Sequence, residues 1–202
     1  SSDVCSSDLH DPVSLEPRMR EYTIYVDAIS KVFAATGLRV GWALGPAPII
    51  AKMNGILAHV GTWAPMAEQK AVAQFLQDDT AISEYVAAFK QALHERLSLI
   101  HAGMAELKAA GFPVDSIEPQ AAIYLSVKID IRGRKTASGN ILAQPSDVTR
   151  WLLDEAKLAL VPFSAFGLEA ENPWYRLSVG TCKTEAIPAM LQQLKSALSS
   201  LA

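Results

Sequence analysis

The stretch SKVFAATGLRVG, Ser30 to Gly41, is the most informative in this chain, because it places a lysine eight residues before an arginine across a glycine turn. The preceding residues YTIYVDAI (22–29) are rich in β-branched and aromatic side chains, which predicts a strand. The following residues RVGWALG (39–45) predict a second strand, and Gly37 supplies a tight reversal between the two. Lys31 is therefore expected at the end of one strand and Arg39 at the start of the next.

These two side chains suit a cofactor that carries both an aldehyde and a phosphate. A lysine at the mouth of a strand can be desolvated, which disfavours its ammonium form and leaves a free amine that can attack a carbonyl. An arginine on the return strand can offer its planar fork to a phosphate. Pyridoxal phosphate needs both groups at once. Taken singly, a lysine and an arginine beside a glycine turn are usually solvated surface residues.

The segment resembles the cofactor-lysine signature of the class I/II aminotransferases, which are fold type I pyridoxal-phosphate enzymes. The matching positions are Lys31, Ala34, Gly37, Arg39 and Gly41. The resemblance implies that Lys31 bonds to the cofactor aldehyde and that Arg39 holds the cofactor phosphate. Three residues before the lysine the family usually has Gly or Ser, whereas this chain has Ala28, so Ser30 is the substitute hydroxyl for the phosphate.

A second arginine lies in NPWYRLSVG, residues 172–180, within an alternating pattern that predicts a strand. A buried Arg176 guanidinium would be costly without an anionic partner. The segment resembles the family's strand whose arginine binds the substrate α-carboxylate, so Arg176 is the predicted substrate-binding residue. The alternative is a structural ion pair with Glu169 or Glu171.

The resemblance implies an α/β protein with three parts. Residues 1–9 contain a repeated Ser-Ser-Asp and are predicted to be a non-native tail, similar to a translated cloning adapter. Residues 10–78 are predicted to be the C-terminal part of the cofactor-binding large domain, with helices over residues 46–60 and after Pro65. Residues 79–202 are predicted to hold the long connecting helix and the small α+β domain.

The long helix is predicted from about Asp79 to Ala110, because apolar residues recur every three or four positions and Gly111 follows. Beyond it we expect a mixed sheet with helices on one face. The predicted elements are a strand over residues 121–129, a helix over residues 146–157 with Ser146 as N-cap, a short strand in LALVPF, the Arg176 strand and a terminal apolar-striped helix. The family usually has glycine at the positions of Ala121 and Phe163, and both changes could narrow the site or alter the loop near the substrate carboxylate.

Composition favours a soluble cytoplasmic enzyme. The chain has 202 residues, half of them hydrophobic, and no apolar run approaches the roughly 20 residues of a membrane span. A formal net charge of −3 argues against a nucleic-acid partner. Cys5 and Cys182 are too few for a disulfide framework or a zinc site, and His94 and His101 are too far apart for a helical metal site, so no metal is expected.

The implied activity is transamination of an α-amino acid with a 2-oxo acid. In the family the acid at the cofactor's pyridine nitrogen and the ring-stacking residue precede the lysine, so this chain is expected to be a C-terminal fragment that is inactive alone. The family builds its sites at a homodimer interface. The alternatives are a pyridoxal-phosphate lyase of the same fold and a non-catalytic aminotransferase-like sensor domain. The donor and acceptor are left open.

Overall fold

A computed structural model describes residues 11–202. The predicted tail, with Cys5, lies outside the described residues. The described chain divides into two compact units, residues 11–89 and residues 90–202, and each is described by itself. The domain boundary predicted between residues 78 and 79 stays a prediction. No helix in residues 11–202 is both long and apolar enough to span a membrane.

The first unit is built on a two-stranded antiparallel sheet with helices after it. Its elements are α1 (Pro12–Leu15), a 3-10 turn (Pro17–Glu21), β1 (Tyr25–Ala28), α2 (Ile29–Val32), β2 (Gly41–Leu44), α3 (Ala47–Val60), α4 (Met66–Phe75) and the first part of α5 (Asp79–Ala109). Tyr25 lies opposite Leu44, and Ala28 lies opposite Gly41. A Cβ at Gly41 would lie 3.0 Å from the carbonyl oxygen of Asp27, so the close contact between the strands favours glycine there.

The connection between β1 and β2 differs from the prediction. The strand ends at Ala28, and Lys31 lies in the single helical turn α2. Gly37 does lie in a turn, which is closed by the Leu38 N–H donating to the Ala35 carbonyl at 3.2 Å. The left-handed backbone positions, however, are Ala34 (φ 49°) and Arg39 (φ 54°). Two non-glycine residues therefore carry the strained conformations of this connection.

The core of this unit is small. The buried residues Ile29, Val40 and Val72 pack with Phe33, and the Phe33 ring meets Phe75 edge-on at 5.2 Å. The predicted helices in this unit are confirmed as α3 and α4, with prolines immediately before both.

The second unit contains the rest of α5, β3 (Val114–Ser116), β4 (Tyr124–Ile129), α6 (Pro145–Asp154), β5 (Val161–Pro162), a 3-10 turn (Phe163–Phe166), β6 (Trp174–Ser178), a 3-10 turn (Thr184–Ala186) and α7 (Ile187–Ser199). The α5 prediction is confirmed to within one residue. Gly111, at φ 89°, ends the helix, and the Phe112 N–H donates back to the Leu107 carbonyl at 3.1 Å.

The sheet of this unit has the order β3-β4-β6-β5, and every pairing is antiparallel, so the prediction of a mixed sheet is wrong. Along each strand, successive side chains point to opposite faces of the sheet, so one set faces the core of the unit and the other set faces away from it. The buried set is Leu125, Val127, Ile129, Tyr175 and Leu177. The other face carries Tyr124, Ser126 and Arg176, with Ser126 directly opposite Arg176.

Three predicted elements, α6, β4 and β5, have boundaries that differ from the prediction for local reasons. Gln144, not Ser146, is the N-cap of α6, and its N–H donates to the Asp147 carboxylate at 2.8 Å in a capping box. The helix ends before Lys157, which adopts a left-handed φ of 58°. Ala122, at φ 65°, delays the start of β4 to Tyr124. In the LALVPF segment only Val161–Pro162 forms a strand.

Candidate active site

The turn that carries Lys31 is anchored by its neighbour Ile29. Ile29 is 4% exposed, and its N–H donates to the Val40 carbonyl at 3.2 Å, which ties the start of α2 to the residue before β2. Ser30 is half-buried and Lys31 is exposed. The described residues therefore do not desolvate Lys31 as the sequence led us to expect.

Arg39 is exposed, and its Nη1 donates to the Thr36 carbonyl at 3.1 Å. This bond, together with the left-handed backbone at Arg39, folds the arginine back on the turn that precedes it. The rest of the guanidinium remains available, because the contact uses one of its five N–H donors.

Ser30 and Arg39 line the same cleft, which has a volume of about 390 Å³. Asp27 and Gly41 also line it, whereas Lys31 does not. A hydroxyl and a guanidinium on one cleft fit an anion such as a cofactor phosphate. A larger cleft of about 1230 Å³ in the same unit contains none of the predicted site residues.

Asp27 is a cleft residue that the sequence analysis missed. Its carboxylate accepts hydrogen bonds from the Tyr25 hydroxyl and from the Ala28 N–H, both at 2.7 Å. The hydrogen bond to Asp27, followed by the charge of that carboxylate, raises the pKa of the Tyr25 hydroxyl. The signal was available, since residues 25 and 27 of a strand point to the same side.

Arg176 lies on the half-exposed face of the second unit's sheet, within contact distance of two aromatic rings. Its Cζ is 4.3 Å from the centroid of the Tyr124 ring and 4.7 Å from that of Phe166. Among residues 11–202, no carboxylate lies within 4.0 Å of its guanidinium. Glu171, one candidate structural partner, instead contacts Arg132 at 3.7 Å.

The two rings were missed by the sequence analysis for different reasons. Tyr124 is two positions from Ser126, the residue opposite Arg176, so correct strand pairing would have placed it diagonally. Phe166 reaches Arg176 from the 3-10 turn after β5, and no local pattern predicts that approach.

The predicted residues thus fall into two groups. Ser30, Lys31 and Arg39 belong to residues 11–89, and Arg176 belongs to residues 90–202. The two histidines weighed for a metal each contact a serine instead: His94 Nδ1 lies 3.4 Å from Ser98 Oγ, and His101 Nδ1 lies 2.7 Å from Ser116 Oγ.

Comparison with known proteins identifies the class. The family described as aminotransferase class I and II matches residues 2–194, so the chain belongs to that family, and its fold is that of the fold type I enzymes. Members of the family use pyridoxal phosphate and act on amino acids and 2-oxo acids.

Individual relatives carry more specific names. The chain is 31% identical over 181 residues to a probable aspartate/prephenate aminotransferase of Rickettsia felis, covering 88% of this chain and 41% of the relative. It is 28% identical to an aspartate aminotransferase of Rhizobium meliloti, covering 94% of this chain and 44% of the relative. The chain therefore spans less than half the length of these relatives.

Solved structures agree on the fold. The crystal structure of the aspartate aminotransferase from Rhizobium meliloti superimposes with a TM-score of 0.79 at 28% identity, covering 96% of this chain and 46% of that one. An aromatic aminotransferase from Pyrococcus horikoshii gives a TM-score of 0.79 at 25% identity, covering 96% of this chain and 48% of that one.

Proposed function

We propose that this chain supplies the lysine, the phosphate-binding residues and the substrate arginine of a pyridoxal-phosphate-dependent aminotransferase. The reaction moves an amino group from an α-amino acid to a 2-oxo acid. The observation that carries the proposal is the Lys31 to Arg39 signature in a chain of this family, with Ser30 and Arg39 on one cleft.

Each residue has a distinct role in this proposal. Pyridoxal phosphate, when bound, supplies the electron sink that stabilises negative charge at the substrate Cα. Arg39 and Ser30 hold its phosphate by charge-assisted hydrogen bonds. Lys31 Nζ would hold the cofactor at its aldehyde, and with substrate bound it would serve as the general base that carries the proton of the substrate Cα.

Arg176 binds the substrate α-carboxylate. The Arg176 Cζ lies over the Tyr124 ring and over the Phe166 ring, and the described residues place no carboxylate against the guanidinium. A planar carboxylate can therefore bind at the edge through two parallel N–H donors. Such a pair fixes the orientation of the amino acid, which a point charge would not do.

The substrate and the complete protein are also proposals. The named relatives make L-aspartate the first amino donor to test. Because the chain covers less than half of them, we propose that it is the C-terminal part of a longer, homodimeric, cytoplasmic enzyme and that it does not turn over alone. The acid at the pyridine nitrogen and the ring-stacking residue would lie in the remaining part.

Separating the two arginines tests this division of roles in the complete reading frame that contains this chain. We expect Arg39→Ala to weaken retention of pyridoxal phosphate, measured by absorbance after dialysis. We expect Arg176→Ala to retain the cofactor and to raise the KM for L-aspartate. Each loss should correspond to about 2–5 kcal/mol, the usual effect of removing one partner of a hydrogen-bonded charge pair.

The matched control is Arg150→Ala, because Arg150 is an exposed arginine on α6 and should leave both properties unchanged. Equal loss of cofactor in the Arg39 and Arg176 variants would contradict the proposed roles.

A further inference from the structure

The ring over one face of Arg176 is itself held by a second ring. Phe166 lies 4.7 Å from the Arg176 Cζ, and its own ring meets that of Phe163 edge-on, with centroids 6.2 Å apart and an angle of 84° between planes. Edge-to-face contact at this distance is the favoured geometry for two aromatic rings. Phe163, Phe166 and Arg176 therefore form a continuous series of contacts.

The backbone explains why the two rings meet. Phe163 and Phe166 are the first and last residues of a 3-10 turn, and side chains three residues apart eclipse each other in that conformation. Gly167, at φ 94°, ends the turn, and the Leu168 N–H donates to the Phe163 carbonyl at 3.4 Å. Since β5 pairs Val161 with Arg176, the turn begins beside the arginine.

Phe166 needs such support because it is 55% exposed. An exposed phenyl ring loses rotamer freedom when it is fixed over a guanidinium, and an exposed cation–π contact is weak. Tyr124, the other ring beside the Arg176 guanidinium, is by contrast held in β4 within the sheet. Of the two rings beside Arg176, Phe166 is thus the one whose position depends on an additional contact.

We propose that Phe163 is a positioning residue for Arg176: it holds Phe166 over one face of the guanidinium, so that a ligand carboxylate binds only at the uncovered edge. This inference rests on the proposed role of Arg176 in binding the substrate carboxylate, and it assigns to Phe163 the selection of that planar, edge-on mode of binding.

The test uses ¹H–¹⁵N NMR of the Arg176 Nε–Hε group in the 202-residue chain, assigned through its loss in Arg176→Lys. Rings stacked on the guanidinium shift the Hε signal upfield. Phe166→Leu removes one of the two rings. The change that it causes in the Arg176 Hε chemical shift is the reference value for complete loss of that ring. We expect Phe163→Leu to produce more than half of that change while Phe166 is still present, and Phe163→Ala to produce at least as much.

Phe112→Leu is the matched control, since Phe112 is a half-buried phenylalanine of the same unit that does not belong to the series of contacts formed by Phe163, Phe166 and Arg176. It should leave the Arg176 signal unchanged. An unchanged Arg176 signal in Phe163→Leu, with the expected change in Phe166→Leu, would overturn the proposal.

Titration with L-aspartate separates this inference from the proposed function. We expect the apparent Kd at the Arg176 signal to rise about two- to fivefold in Phe163→Leu, in keeping with the loss of one exposed cation–π contact. No response of Arg176 to L-aspartate, both in the 202-residue chain and in the complete protein that contains it, would count against its substrate role, whereas the ring-dependent shift would still decide the role of Phe163. An equal Kd in Phe163→Leu and the unsubstituted chain would contradict the selection of edge-on binding.

Discussion

The two units of this chain bury their apolar side chains to very different extents. Of the 27 buried apolar residues in the described part of the chain, 24 lie in residues 90–202 and only Ile29, Val40 and Val72 lie in residues 11–89. Conversely, 16 of the 22 exposed large apolar residues lie in residues 11–89. The unit with the proposed substrate arginine has its own core, whereas the unit with the proposed cofactor lysine has little.

The difference in burial indicates that residues 11–89, unlike residues 90–202, need a further surface to cover their apolar side chains. Exposed apolar surface on this scale is unfavourable in water and is normally covered by another part of a protein. The relatives are more than twice as long as this chain, and in the proposed complete enzyme the additional part covers residues 11–89. The proposed cofactor-binding residues would then gain the desolvation that the described residues do not give to Lys31.

The largest expected effect comes from truncating a core side chain of the second unit. Leu97 is 0% exposed, and Leu97→Ala should lower the free energy of unfolding by about 2–5 kcal/mol, since it removes buried methyl groups and leaves a cavity. The matched substitution in the first unit is Leu44→Ala. Leu44 is 61% exposed, so the change should stay within about 0.5 kcal/mol.

Urea unfolding followed by circular dichroism measures both values. A loss of unfolding free energy in Leu44→Ala as large as that in Leu97→Ala would contradict the difference in burial between the two units, because it would mean that residues 11–89 bury this strand.

Alanine substitutions at two helical glycines should change the free energy of unfolding in opposite directions. Gly103 on α5 lies against Leu191 of α7, and an added Cβ would overlap the leucine side chain, with Leu191 Cδ2 only 2.9 Å away. Gly103→Ala should therefore destabilise by about 1–3 kcal/mol through overpacking. A Cβ at Gly55 on α3 meets nothing within 4 Å. Gly55→Ala should stabilise by about 0.5–1 kcal/mol through helix propensity.

Thermal melting of the two variants checks these signs. A stabilising Gly103→Ala would show that α5 and α7 do not pack as closely as described.

The smallest effect concerns an ion pair in the second unit. The Lys108 ammonium, by its hydrogen bond to Asp115, lowers the pKa of that carboxyl below its usual value. The ion pair therefore stabilises the folded state fully above the unfolded-state pKa of Asp115. This stabilisation is lost as the pH falls through the lower folded-state pKa of the same carboxyl. Both side chains are at least a third exposed, so Asp115→Asn should cost only about 0.2–1 kcal/mol at neutral pH.

Urea midpoints for the chain and for Asp115→Asn should converge as the pH falls, whereas the exposed Glu118→Gln control should show a smaller difference at neutral pH. A constant difference between the chain and Asp115→Asn at every pH would contradict the ion-pair explanation.

The sequence predicts elements whose signals are local. Periodic apolar residues and Gly111 define α5 to within one residue, and prolines mark the starts of α3 and α4. Resemblance to the aminotransferases supplies the fold, which the comparisons confirm.

Features that depend on tertiary contacts could not be predicted in the same way. Ala34 and Arg39 have no side-chain preference for a left-handed backbone, and the connection between paired strands imposes it. Gln144 is a weak N-cap by type, and its role depends on the return bond from Asp147. Phe166 contacts Arg176 only because β5 pairs with β6. The roles of Lys31, Ser30, Arg39 and Arg176 stay predictions.

The central claim is that Lys31 is the residue that bonds to pyridoxal phosphate. Borohydride reduction of the complete protein with the cofactor, followed by peptide mapping with mass spectrometry, tests it directly. We expect a pyridoxyl group fixed on Lys31 and its absence from that peptide in Lys31→Arg. Recovery of the label mainly on Lys52 or Lys70, at the same level in Lys31→Arg, would contradict the assignment.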